Sequence, residues 1–174
     1  MDAILETSRL WLRAFAVTDA PHFFELNNAP ETIRYTGDLP FESVEAARQF
    51  LEAYNQYEQY GYGRWAVLLK PSGQWIGWCG LKYSPELQET DIGFRFFPRY
   101  WGQGYATEAA RACLDYGFGP LGLDRIVGRA MKDNKASVRV LEKIGLRFWK
   151  EFDFEKHPGL YFVGEKEKRH TPAD

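Results

Sequence analysis

The spacing that could do chemistry lies in Arg99-Tyr-Trp-Gly102-Gln-Gly104-Tyr-Ala106-Thr-Glu-Ala. Two glycines stand just before a segment of helical character. The first N–H groups of a helix have no intrahelical acceptor. Glycine removes the Cβ that would hold a ligand away from the backbone. With the positive end of the helix dipole, such a turn makes a seat for an anion the size of a diphosphate. The same residues also suit a plain tight strand-to-helix turn. Two rival phosphate motifs do not fit. A dinucleotide fingerprint needs a third small residue where Thr107 stands, and a P-loop needs Gly-Lys-Ser/Thr, which the chain lacks. Nothing in the spacing suggests a metal: His22, His157 and His170 are far apart, and Cys79 and Cys113 form no metal or redox pattern. The cysteines read as reduced, buried residues.

For this turn to act, a strand must end before it and a helix begin after it. Thr90–Phe97 alternates as a strand and is stopped by Pro98, and a helix is expected from Tyr105 to Tyr116, ended by Gly117, Gly119 and Pro120. Upstream, 9–15 reads as a strand and Asp19 as the N-cap of a short helix through Leu26. A loop is expected over 28–40. Ser43 caps a second helix with Val44, Ala47, Leu51 and Tyr54 on its apolar stripe, fading near Gly61. Arg64–Lys70 and Gln74–Tyr83 form a hairpin about a Pro-Ser-Gly turn. Downstream come a strand over 125–131, a helix capped by Asn134 and ending before Gly145, and strands near 147–154 and 160–165. This order predicts an α+β chain with a mixed, largely antiparallel sheet whose parallel pair is 90–97 with 125–131. Ligands favour the carboxyl ends of parallel strands, where the Gly-rich turn sits.

Composition bounds the function. Of 174 residues, 45% are hydrophobic and 26% charged, which excludes disorder and fits one domain over 1–174, with a core of about 7–166 and a solvated tail at 167–174. No apolar stretch is long enough for a membrane span, and the acidic N-terminus is no secretion signal, so a cytoplasmic protein is expected. A net charge of −2 argues against nucleic acid as partner. The charge is uneven: residues 1–90 hold 7 bases and 12 acids, residues 91–174 hold 15 and 12. That division is either ordinary scatter or the mark of an anionic ligand on the second half and a cationic one facing the first.

The turn resembles motif A of the GNAT superfamily of N-acetyltransferases, with Trp101-x-x-Gly104-x-Ala106 in the place of Gln/Arg-x-x-Gly-x-Gly/Ala. Trp101 departs from the usual Gln or Arg. That departure is similar to the ribosomal-protein alanine N-acetyltransferase (RimJ/RimL-like) subgroup, whose pattern Tyr100–Ala109 follows almost throughout. The segment from Asn134 through Ser137 to Gly145 resembles that subgroup's motif B, and the strand with Thr7, Arg9, Leu10, Leu12 and Arg13 resembles its start. The resemblance implies a GNAT-like fold with about four helices, its parallel strands splayed around the cofactor. It also implies direct acetyl transfer from acetyl-CoA, with no metal, to a peptide N-terminus or a small amine.

The diphosphate would rest on Gly102, Gln103, Gly104, Tyr105, Ala106 and Thr107, with Trp101 offering fit but no long polar contact. The pantetheine arm would run along the splayed strand near Phe96 and touch Asn134. Asp91 matches the position where the family often has a base; its alternative is a solvated or ion-paired strand acid. The tyrosine many relatives use as acid is replaced by Leu141, so Ser137 is the alternative thiolate partner, unless it merely completes the helix start capped by Asn134. The missing tyrosine also prompts a second reading, a non-catalytic acyl-CoA-binding module. The acceptor's identity is open, as is the oligomeric state, a homodimer included. Its site is expected on the early helices and loop 28–41. There Glu31, Asp38 and Glu42 could face a cationic amine or simply be solvated, and Tyr54, Tyr57, Tyr60 and Tyr62 could form an acceptor wall.

Overall fold

The computed structural model describes residues 2–167; of the tail expected at 167–174, all but Glu167 lies outside them. Period-two alternation builds one eight-stranded sheet, ordered β1-β2-β3-β4-β5-β6-β8-β7. Its strands are β1 (Leu5–Glu6), β2 (Leu10–Arg13), β3 (Arg64–Leu69), β4 (Trp75–Ser84), β5 (Glu89–Phe96), β6 (Arg125–Met131), β7 (Arg147–Phe154) and β8 (His157–Glu165). All neighbours are antiparallel except β5 and β6. The parallel pair is joined through α5 (Tyr105–Phe118), as a strand–helix–strand crossover requires. The other helices are α1 (Ala20–Asn28), α2 (Pro30–Ile33), α3 (Val44–Glu52), α4 (Gln56–Tyr60) and α6 (Lys135–Lys143).

The two faces of the sheet carry separate cores. On the first face, Trp65, Val67, Ile76, Cys79, Ile92 and Phe96 pack with Ala109, Ala110 and Cys113 of α5 and Leu141 of α6. On the second, Ala66, Leu68 and Trp75 pack with Phe23 and Leu26 of α1 and Ala47 and Leu51 of α3. Adjacent residues of β3 thus serve opposite cores, as strand geometry dictates. The two cysteines are buried and unbridged, their sulfurs 3.7 Å apart.

Several local expectations need correction. Residues 30–33 are a helical turn rather than loop, because Pro30 at its first position needs no amide partner. Tyr54 lies beyond α3, which ends at Glu52, and α4 follows before Gly61 closes it with φ +78°. α5 runs through Gly117 to Phe118; a Cβ on Gly117 would press on Ile126 and Leu81, so that glycine serves close helix–sheet packing rather than termination. β8 starts at His157, three residues early. Asp19 precedes α1 as expected, but its carboxylate binds Arg13 and the Ala16 N–H rather than capping. Ser43 and Asn134 do cap: they accept from Ala46 N at 3.0 Å and Ser137 N at 3.3 Å.

Candidate active site

β5 and β6 pair at only two positions, Asp91 with Val127 and Ile92 with Gly128, and then part. At the end of β5 a short turn leads to Gly102 and Gly104, both left-handed at φ +71° and +82°. Gly104 is the residue before α5, where a side chain in that conformation would be strained. Among the described residues, the N–H groups of Gly102 through Thr107 find no acceptor within the chain. A Cβ on Gly102 would meet nothing within 4 Å, so the approach is open. These are the features a diphosphate seat requires, and the residues present fit acetyl-CoA there.

The seat is braced from behind. Glu108 accepts from Thr7 Oγ1 at 2.6 Å, Arg9 N at 3.0 Å and Arg9 Nε at 2.6 Å, tying the first strands to α5. Burial pushes the Glu108 carboxyl up, but the Thr7 and Arg9 hydrogen bonds outweigh it and hold the group below its ordinary range. Arg9 also donates to Gln103 O at 3.1 Å and stacks 4.3 Å over the Tyr105 ring. Trp101 is half exposed and donates from Nε1 to Phe96 O at 2.8 Å. The Phe96 side chain lies in the first-face core, so only its backbone is available to a ligand. Gln103 turns its amide inward to Arg99 O.

A cleft of about 1210 Å³ opens where β5 and β6 separate. It is lined from both faces of the sheet: Asn134, Ser137 and Leu141 come from the first, Asp91, Arg95, Arg129 and Tyr161 from the second. The structure therefore brings Asp91, Asn134 and Ser137 together, while the seat residues 101–107 and Phe96 stand outside this lining. Ser137 Oγ has no hydrogen-bond partner among the described residues; only its N–H is engaged, by Asn134. Leu141 is buried core and supplies no polar group.

Asp91 is an ion-paired acid. Arg64 Nη2 lies 2.7 Å from Oδ2, and Nη1 donates to the carbonyls of Gly80 at 2.7 Å and Asp91 at 2.9 Å. Burial would lower the Arg64 pKa, but the adjacent Asp91 charge raises it further. The other oxygen, Oδ1, is buried without a hydrogen bond. Arg129 stands 3.4 Å away, an ion contact that makes no hydrogen bond. Sequence reading missed Arg64 and Arg129. A signal existed in the period-two series Asp91, Gly93, Arg95: a glycine inside a strand marks close approach, and here a Cβ on Gly93 would occupy the place of the Arg64 guanidinium.

The expected acceptor features divide. Asp38 lines the cleft but is paired to Arg95 at 2.6 Å, while Glu31 and Glu42 do not line it. Of Tyr54, Tyr57, Tyr60 and Tyr62, only Tyr54 borders the cleft, and its hydroxyl accepts from Arg64 N. Tyr57 bonds Arg64 O and Phe15 N, Tyr62 meets Thr90, and Tyr60 packs on Tyr83, so these three are structural. His22 stacks on Trp75, and no metal-holding cluster of His, Cys, Asp or Glu occurs among the described residues. No helix there is long and apolar enough to cross a membrane.

Comparison with known proteins agrees with this geometry. The acetyltransferase (GNAT) domain model matches residues 9–147. The uncharacterized N-acetyltransferase p20 of Bacillus licheniformis is 32% identical over 160 residues, 89% of each chain. The FsC-acetyl coenzyme A-N(2)-transacetylase of Aspergillus fumigatus is 31% identical over 170 residues, 90% of this chain and 71% of that protein. The crystal structure of a GNAT-family acetyltransferase from Bacillus anthracis superposes with a TM-score of 0.80 and 29% identity, covering 94% of this chain and 98% of that one.

Proposed function

The chain belongs to the GNAT family of acetyltransferases, and we propose that it transfers acetyl from acetyl-CoA directly to a primary amine held against Asp91. The observation that carries this reading is the cleft lined from both faces, with Ser137 and Asn134 on one side and Asp91 on the other.

Acetyl-CoA supplies an already activated thioester, so the protein's task is mainly placement. The N–H groups of 102–107 and the α5 dipole hold the diphosphate. The free edge of β5 guides the arm toward the cleft. The amine must lose its proton before attack, at a cost near pH 7 of about 1 kcal/mol for an α-amine and about 4–5 kcal/mol for a lysine-like one. The carboxylate of Asp91, which lines the cleft and whose Oδ1 has no hydrogen bond, receives that proton or orders a water that does. Arg64 fixes the carboxylate's other oxygen and so sets its orientation. Ser137 Oγ–H donates to the departing sulfur, and Asn134 holds Ser137 at the start of α6. The acceptor is a peptide N-terminus, as in the RimJ/RimL-like subgroup, or a small amine.

Calorimetry of acetyl-CoA on the folded chain, followed by thiol-release assays over peptides and small amines, tests the proposal. Binding with turnover of at least one amine is expected. Absence of binding would overturn it. Binding without thiol release across the panel would make the chain a non-catalytic acyl-CoA-binding module.

A further inference from the structure

Resting on the acetyl-transfer reading, the geometry points to the class of acceptor: we infer that the amine carries a carboxylate beside it, as a free α-amino acid does, with Asp91 taking the ammonium and Arg129 the carboxylate. Five acids and five bases line the cleft, so it is no acidic trough for a polycation. Their pairing is uneven. Arg64 is committed to Asp91, and Arg95 to Asp38. The Arg129 guanidinium, half-buried, makes no hydrogen bond among the described residues, and its one ion contact is the 3.4 Å approach to Asp91 Oδ1. That oxygen is itself without a hydrogen bond, on a side chain nine-tenths buried.

A buried acceptor and a neighbouring donor that touch without bonding are both left able to bind a ligand. An α-amino acid carries opposite charges on one carbon, and so can lie against this pair with each charge on its opposite. Arg129 offers a planar fork suited to carboxylate. A second cation lies on the other side of Tyr161: Arg129 on β6 and Lys150 on β7 approach its ring from the two neighbouring strands, at 5.7 and 5.2 Å. Of the acids without a cationic partner, Asp153 and Glu155 stand beside the exposed β7–β8 turn, and Glu89 accepts from the Tyr161 hydroxyl. A polyamine would bring its second positive charge against Arg129 and Lys150. A peptide N-terminus has an amide where the carboxylate should be, leaving Arg129 unsatisfied. Tyr54, Trp78 and Phe152 wall the cleft and suit an apolar or aromatic side chain.

The test compares phenylalanine, phenylalaninamide, phenethylamine, spermidine and a short peptide as acceptors at saturating acetyl-CoA. The amide has the less basic amine and is chemically favoured, so a preference for the acid reports recognition. We expect kcat/KM for phenylalanine to exceed that of the amide and the decarboxylated amine by roughly tenfold or more, mainly through KM. Arg129→Gln should bring the ratio toward one with acetyl-CoA affinity by calorimetry unchanged, and Arg129→Lys should restore part of it. If Arg129→Gln does not fold, Lys150→Gln should lower the ratio by severalfold. Preference for the amide, for spermidine or for the peptide overturns the inference while sustaining acetyl transfer. So does an Arg129→Gln variant that slows all acceptors equally. Bound acetyl-CoA with no acceptor turned over overturns the acetyl-transfer reading, and this inference with it.

Discussion

At the scale of single residues, the tasks proposed for Asp91 and Ser137 are separable. Ser137→Ala should lower kcat by roughly a hundredfold while acetyl-CoA affinity stays within about twofold. Equal losses in titration calorimetry and in turnover would assign Ser137 to shaping the site alone. Asp91→Asn removes the charge that Arg64 faces in a largely buried setting. Breaking such a pair from one side should cost about 3–5 kcal/mol in urea unfolding, in addition to the loss of activity. Asp91 was nominated from sequence by its place on the strand 90–97, and Asn134 and Ser137 by their spacing in one motif; the structure puts all three in the lining of one cleft. Arg64 was not nominated, because it reaches Asp91 from 27 positions away and only strand register brings them together. The tyrosine cluster misled for a related reason. Chain proximity grouped Tyr54, Tyr57 and Tyr62, but their hydroxyls are each consumed by a nearby backbone or threonine partner.

At the scale of elements, the hairpin of β3 and β4 aims Arg64, and the first turn of α5 holds the seat. A Cβ on Gly80 would lie 2.7 Å from Arg64 Cα and 3.0 Å from the Trp65 ring, where backbone must give way. Gly80→Ala should therefore destabilise by about 1–3 kcal/mol, read as a lower urea midpoint at unchanged slope, and reduce activity with it. The Glu108 clamp has a pH signature. Its folded pKa lies below the ordinary 4.5, so the clamp's stabilisation is fully present above that value and is lost as pH falls through and below it. Thermal melts between about pH 6 and pH 3 should lose stability more steeply for the wild type than for Glu108→Gln. Equal slopes would remove the clamp from that role. The strands and α5 followed from alternation and glycine placement. The short helices α2 and α4 did not, since four or five residues carry too little periodicity to separate from loop.

At the scale of the whole molecule, the sheet is a partition with a different core on each side and one opening where β5 and β6 part. The mixed topology with one parallel pair was readable from element order, because parallel neighbours need a long crossover and the helix between these two strands supplies it. The division of labour between the faces was not, because it depends on which residues of β5 and β6 point each way. The uneven charge of the two halves of the chain is only partly expressed: the seat does lie in the basic half, but the cleft mixes both signs evenly. That opening also fixes an order-of-addition rule. If thioester and amine arrive from opposite sides of a wall and meet in its window, neither must leave for the other to enter. Double-reciprocal plots should then intersect, and free CoA should compete with acetyl-CoA but not with the amine; parallel lines would instead demand that the chain itself carry the acetyl group between two half-reactions.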